Sequence, residues 1–286
     1  MVRLPAADIR RLVRQGLEED LAQGDVTTAA LFPRPVPARA RIVAQQALIV
    51  AGMAAAVQSF IAVDPALTLS VTKKDGARAR SGDALLTIQG DGRSILMAER
   101  LALNFLQHLS GIATLTDRFC QAVRGRRTAI FDTRKTLPGW RALQKWAVAL
   151  GGGTNHRRSL GDGLLIKDNH LLLLRRTDAV TEACRLAGLT PHRPRIVEVE
   201  TMKDVERALA GKAEIILLDN MTPAMVARAV RLIKNRAIVE VSGGITLKNV
   251  RAMAAAGPQR ISIGALTHSA PAAALSLEFD LGPKRA

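Results

Sequence analysis

Arg134, Lys135, His156, Arg157 and Lys167 gather cations and hydrogen-bond donors into one short stretch of the chain. Such a group calls for anions. Guanidinium forks match carboxylates and phosphates bidentately, and a lysine ammonium serves as a movable point charge. The stretch is broken by Gly139 and by Gly151-Gly152-Gly153, which either lets backbone approach a ligand closely or simply stops a helix after Leu150. Glu198 and Asp219 supply the opposite charge. Carboxylates beside a phosphate site would repel the substrate unless a hard cation or sugar hydroxyls stood between them, so magnesium is the expected ion. The alternative is that both acids pair with nearby Lys or Arg. Gly151 to Thr154 is no Walker loop, and Cys120 and Cys184 stand singly, without the spacing of a zinc site or a disulfide framework.

The elements that must carry these residues read as a βα repeat. Short β-rich runs are expected at Thr128 to Phe131, Leu164 to Ile166, Arg195 to Val199, Glu214 to Leu218, Ala237 to Val241 and Arg260 to Ile263. Helical patterns fill the gaps at Trp140 to Leu150, Asp178 to Ala187, Met202 to Ala210, Pro223 to Ile233 and Leu247 to Ala256. Thr222 before Pro223 is expected to cap one helix and Thr246 another, with Gly188, Gly211 and Gly257 as stops. Polar residues fall at the C-terminal ends of the strands: Asp132 to Lys135, Lys167 to Asn169, Glu198 with Glu200, Asp219-Asn220, Ser242 to Gly244, and Gly264. In an α/β barrel the loops after the strands converge on one mouth, so residues distant in sequence meet there. The first hundred residues differ. Strand-like runs at Ala38 to Ala51 and Leu67 to Thr72, turns at Asp75-Gly76 and Gly82-Asp83, and a long helical pattern over Ser94 to Arg124 describe a separate α+β module, with Gly111 as the expected joint.

Composition narrows the partners. A net charge of +16 suits nucleic acid, an acidic membrane or a polyanionic small substrate. Aromatics are only 3%, with no Tyr, so base-stacking platforms are scarce, and no nucleic-acid-binding motif appears. The apolar runs are too short to cross a bilayer and the N-terminus shows no signal-peptide pattern, so the expected compartment is the cytoplasm.

Asp132-Thr133-Arg134-Lys135-Thr136-Leu137-Pro138-Gly139, Gly151-Gly152-Gly153-Thr154-Asn155-His156-Arg157 and Leu165-Ile166-Lys167-Asp168-Asn169-His170 resemble, in order, three motifs of the quinolinate phosphoribosyltransferase family. The similarity continues through Val197 to Glu200, Leu217 to Asn220, Ser242 to Thr246 and Ile263 to Ser269, and reaches back to Glu18 to Asp20 and Gly24 to Thr28. It implies an N-terminal α/β sandwich domain, residues 1–112 with 269–286 returning to it, and an incomplete α/β barrel over 113–268. The implied reaction joins quinolinate to phosphoribosyl pyrophosphate with Mg2+, in a homodimer or larger homo-oligomer. Arg134, Lys135, His156, Arg157 and Lys167 would then hold carboxylates and phosphates, and Glu198 and Asp219 would address ribose and metal. Lys135, Lys167, Glu198 and Asp219 form the expected catalytic group. Ser242, Gly243, Gly244 and Gly264 would take the 5′-phosphate, with Thr133, Ile263 and Ala265 beside them in the same motifs. Arg100 matches an arginine that reaches the neighbouring subunit's site.

Four residues depart from the pattern: Arg158, Ser159 where glycine is usual, Trp140 and Trp146. Ser159 is expected to restrict a backbone angle that glycine would permit. The rival readings are a related phosphoribosyltransferase with another acceptor, such as a molybdenum-associated paralogue or a nicotinate-specific enzyme, and, more remotely, a basic nucleic-acid-binding protein.

Overall fold

The computed structural model describes residues 5–190 and 194–280. In chain order the elements are α1 (Ala6–Leu21), α2 (Val26–Leu31), β1 (Pro37–Ala44), β2 (Leu48–Ile49), α3 (Met53–Val63), β3 (Thr68–Val71), β4 (Arg78–Ala79), β5 (Ala84–Asp91) and α4 (Gly92–Ala122). They continue with β6 (Ala129–Phe131), α5 (Arg141–Leu150), β7 (Leu164–Ile166), α6 (Asp168–Leu174), α7 (Ala179–Ala187), β8 (Arg195–Val199), α8 (Met202–Ala210) and β9 (Ile215–Asp219). The last are α9 (Pro223–Ile233), β10 (Ile238–Ser242), α10 (Val250–Ala255), β11 (Arg260–Ser262), α11 (Ala265–His268) and β12 (Leu275–Phe279). Among the described residues no helix is long and apolar enough to cross a membrane.

The chain forms two compact units. The first takes the sequence up to Asp117, Leu137–Gly152 and the segment from Ser269 onward. Its main sheet runs β12-β1-β5-β3, antiparallel throughout, with the late strand β12 paired to β1 from Ala40↔Phe279 to Ala44↔Leu275. Residues 281–286 of the expected return segment lie outside the described residues. Ala40, Ile42, Leu86 and Ile88 of the sheet pack with Phe60 of α3 and with Ile95, Ala102 and Leu106 of α4, forming an α/β layer around one apolar core. The long expected strand from Ala38 is broken into β1 and β2, and α4 runs without interruption. Gly111, the expected joint, lies inside this continuous helix. A Cβ there would lie 2.1 Å from the Pro271 carbonyl oxygen, so glycine is required where the returning segment crosses α4. Residues Leu137–Gly152, which include α5, pack within the first unit. Trp140 stacks on Phe105 at 4.9 Å, and the buried Gln144 side chain meets His108 at 2.7 Å while accepting from the Leu137 amide. Gly151 ends that helix, and a Cβ on it would lie 2.3 Å from the Ala113 carbonyl oxygen.

The second unit takes Arg118–Thr136 and Gly153–His268. Its six strands are all parallel in the order β6-β11-β10-β9-β8-β7. The first strand of the set thus pairs with the last, while its chain neighbour β7 forms the opposite edge, as in a barrel that does not close. Between strands the helices form where expected. Thr222 accepts from the Met225 amide and caps α9, and Gly188 and Gly211 end α7 and α8. Thr246 does not cap α10: Asn249 holds the N-cap position, and its side-chain oxygen accepts from the Thr246 amide instead.

Candidate active site

Side chains alternate across a strand, so residues two apart share a face. In the second unit this rule brings Leu165 with Lys167, Ile196 with Glu198, Leu217 with Asp219, and Glu240 with Ser242 onto common faces. Register aligns them across strands: Glu198 and Glu240 both lie opposite Leu217, and Ser242 lies opposite Asp219. The floor is apolar, built from Ile196, Ile215 and Leu217 with Leu165 and Ile238 packed on it. Above it opens a cavity of about 340 Å³ lined by Thr133, Arg134, Lys135, His156, Arg157, Lys167, Glu198, Asp219, Glu240, Ser242 and Ser262. The five expected anion-binding side chains and both expected acids therefore meet in one place.

The loop after β6 is held by Asp132, whose buried carboxylate accepts from the His156 amide at 2.7 Å and from Asn155 Nδ2 at 2.8 Å. Asp132 was expected among the strand-end ligand residues; it faces the protein instead. A short parallel bridge, Thr154 N–H to the Ile130 carbonyl and Asp132 N–H to the Thr154 carbonyl, fixes the same loop. The Arg157 guanidinium donates to the Gly163 carbonyl at 3.0 Å. Burial and the neighbouring Arg134 guanidinium lower its pKa, with Asp162 acting in the opposite sense. Two arginines held against their mutual repulsion constitute an electrostatic demand for a bound anion.

Lys167 Nζ donates to Glu198 Oε2 at 2.8 Å, and Asn220 Nδ2 donates to Asp219 Oδ2 at 2.7 Å. Lys135 is fixed through its backbone: its amide donates to Thr133 Oγ1 and its carbonyl accepts from Thr267 Oγ1 at 2.7 Å. Gly264 lets that lysine side chain pass, since a Cβ there would lie 3.1 Å from Lys135 Cδ. After β10, Gly243 and Gly244 both have positive φ. A Cβ on Gly243 would strike Asn220 Oδ1 at 2.2 Å, whereas Gly244 borders open space. Ile263 is buried and its amide donates to the Phe131 carbonyl. Ala265 begins the short α11. Arg100 is exposed on α4, in the first unit.

Two residues of the site escaped the sequence reading. Glu240 is fully buried in the cavity wall, and Ser262 donates to it. The signal was present, because Ile238-Val239-Glu240-Val241 repeats Ile196-Val197-Glu198-Val199 letter for letter. At Ser159 the backbone lies outside the positive-φ region, so the freedom of a glycine is not used there. The Ser159 amide and hydroxyl, with the Arg158 amide, bond the Asp162 carboxylate in a tight surface turn.

Residues 25–110 match the family model described as quinolinate phosphoribosyl transferase, N-terminal domain, and residues 112–278 match its C-terminal domain. The chain belongs to the quinolinate phosphoribosyltransferase family. A nicotinate-nucleotide pyrophosphorylase [carboxylating] of Mycobacterium leprae (strain TN) is 42% identical over 267 residues, covering 91% of this chain and 93% of that protein. The quinolinate phosphoribosyltransferase [decarboxylating] 1b of Nicotiana tabacum is 37% identical, covering 96% and 83%. Among solved structures, the nicotinate-nucleotide pyrophosphorylase of Francisella tularensis superposes with a TM-score of 0.90 at 35% identity, covering 97% and 98%. Human nicotinic acid phosphoribosyltransferase reaches a TM-score of 0.64 at 13% identity, covering 91% and 74%, and shares the fold alone with this quinolinate phosphoribosyltransferase family member.

Proposed function

We propose that this cavity transfers the phosphoribosyl group of phosphoribosyl pyrophosphate to quinolinate, giving nicotinic acid mononucleotide, pyrophosphate and carbon dioxide in de novo NAD biosynthesis. The observation that carries the reading is the convergence of Arg134, Lys135, His156, Arg157 and Lys167 beside Glu198 and Asp219 in one cavity. A dicarboxylate acceptor and a pyrophosphate donor together bring more negative charge than one lysine could answer. In the reaction the pyridine nitrogen bonds to the anomeric carbon as the bond to pyrophosphate breaks. The cations counter charge gathering on the leaving group and hold the two reactants in line. Once alkylated, the ring accepts the electron pair released when the 2-carboxylate leaves, and a proton takes its place. Apolar walls such as Leu165 and Leu217 keep water from that carbon.

Glu198 and Asp219 suit a hard cation, and among the described residues no cluster of three ligating side chains occurs. Magnesium would thus be held by one or both carboxylates and largely by substrate oxygens. When bound it would neutralise the pyrophosphate. Ser242, Gly243 and Gly244 suit the 5′-phosphate, because Gly244 leaves room at the strand end. The working form is a cytoplasmic homodimer in which exposed Arg100 serves the partner's site. Mixing Arg100→Ala with Lys167→Ala subunits should then restore roughly a quarter of wild-type activity, since about half the dimers are mixed and each has one intact site. Recovery that stays at baseline after confirmed subunit exchange would contradict this.

Mass spectrometry of the product tests the acceptor. Quinolinate, phosphoribosyl pyrophosphate and magnesium should yield nicotinic acid mononucleotide, and nicotinate should not substitute. Equal turnover of nicotinate would sink the assignment.

A further inference from the structure

The inner face of the second unit presents two glutamates, one on either side of Leu217, and each meets a nitrogen base of the cavity. Glu198 pairs with Lys167 at the open side, where the lysine side chain remains 43% exposed. Glu240 is different. It is wholly buried, its Oε1 lies 3.2 Å from His156 Nε2, and the His156 side chain is only 9% exposed. Ser262 Oγ donates to the same Oε1. Oε2 finds no hydrogen-bond donor, and the Arg260 guanidinium, which lies over the Phe131 ring, comes no closer than 3.9 Å. A buried carboxylate with one oxygen left over is costly to keep. Packing does not account for it, because an isoleucine or leucine at this strand position would extend the apolar floor beneath it.

The other ring nitrogen completes the geometry. His156 Nδ1 accepts from the Arg157 amide at 2.8 Å. A neutral imidazole that accepts at Nδ1 carries its hydrogen on Nε2, and that hydrogen points to Glu240. We propose that Glu240 is a positioning residue: it holds His156 as the Nε2–H tautomer and thereby orders the Asn155-His156-Arg157 segment that presents two acceptor-binding side chains to the cavity. The inference rests on the phosphoribosyl-transfer reading for its kinetic consequence but not for its structural one. The groups around the carboxylate are His156 from the loop between α5 and β7, and Arg260 and Ser262 from β11.

Glutamine at this position would have the same shape but would bring an amide donor. Placed at Oε1 the amide would confront His156 Nε2–H, and placed at Oε2 it would face the Arg260 guanidinium. Glu240→Gln should therefore raise KM for quinolinate and lower kcat/KM for it by roughly ten- to a hundredfold, the range for a charge-assisted hydrogen bond. KM for phosphoribosyl pyrophosphate should change far less. In a His156→Ala background the same Glu240→Gln change should cost little more, because both substitutions break one unit. Full additivity of the two losses, or equal effects on both substrates, would overturn the positioning role. Should Glu240→Gln fail to fold, nitrogen-15 NMR of the wild-type protein decides: His156 in its neutral form should show hydrogen on Nε2, and hydrogen on Nδ1 would refute the proposal. That measurement needs no substrate, so it stands even if wild-type protein fails to convert quinolinate.

Discussion

The two units use their inner faces in opposite ways. In the first, the sheet and the helices packed on it close on an apolar core, and buried hydroxyls bond to the backbone: Ser110 and Ala51 exchange hydrogen bonds, Ser59 donates to the Ala55 carbonyl, and Thr116 to that of Ile112. In the second, the apolar floor is small, and above it the strands bear Lys167, Glu198, Asp219, Glu240 and Ser242. Fold stability should therefore depend most on the first unit and chemistry on the second. Substitutions can break or sharpen that contrast.

The largest effect is expected at Phe60, fully buried in the first core. Phe60→Ala should cost about 3–5 kcal/mol of stability through lost burial and a residual cavity. Chemical denaturation should show the loss, while turnover per folded molecule stays near wild type. A variant that kept its stability would deny the first core its assigned role.

Lys167→Ala is the converse. Removing a charge-assisted contact to substrate should cost roughly 1.5–3 kcal/mol of transition-state stabilisation, about ten- to a hundredfold in kcat/KM. Stability should move by less than about 1 kcal/mol, since the Lys167–Glu198 pair is partly solvated. Steady-state kinetics beside a melting curve reads both. Wild-type efficiency at limiting substrate would remove Lys167 from the site.

The smallest effect sharpens the contrast from the other side, through a half-buried carboxyl in the first unit. Asp75 accepts from the Met53 amide at the start of α3 at 2.9 Å, and burial pushes its carboxyl up to about 6. The folded state thus favours the neutral acid. The stability this contributes is fully present below the ordinary Asp value and is lost as pH rises through about 6. Asp75→Asn keeps an acceptor for the amide and removes the charge. It should raise stability at pH 8, seen as a higher melting temperature, by at most on the order of 3 kcal/mol, the ceiling set by a carboxyl moved from its ordinary value to about 6. The gain should vanish near pH 4. A gain that did not depend on pH would show that the charge is not the cause.

Legibility followed the same division. The second unit could be read closely because a parallel βα repeat writes its period into the sequence: β7, β8, α8 and α9 fall at the expected residues, and chemistry collects at strand ends. Glu240 was missed because it stands two residues before the strand's end, hidden by the glycines that follow it. Asp132 was misread because a carboxylate that binds a loop amide looks, in sequence, like one that binds a ligand. In the first unit long-range contacts are what the sequence hides. Nothing near Gly111 announces that Pro271 will cross there, and nothing within α5 says that Trp140 will stack on Phe105.

The central claim is that this cationic cavity alkylates the ring nitrogen of a dicarboxylate acceptor and then expels its 2-carboxylate. Quinolinate labelled in that carboxylate tests it directly. The account predicts labelled carbon dioxide in equal amount to pyrophosphate, only when phosphoribosyl pyrophosphate is present. Release without the phosphoribosyl donor, or pyrophosphate formed with the label retained in the nucleotide, would contradict it.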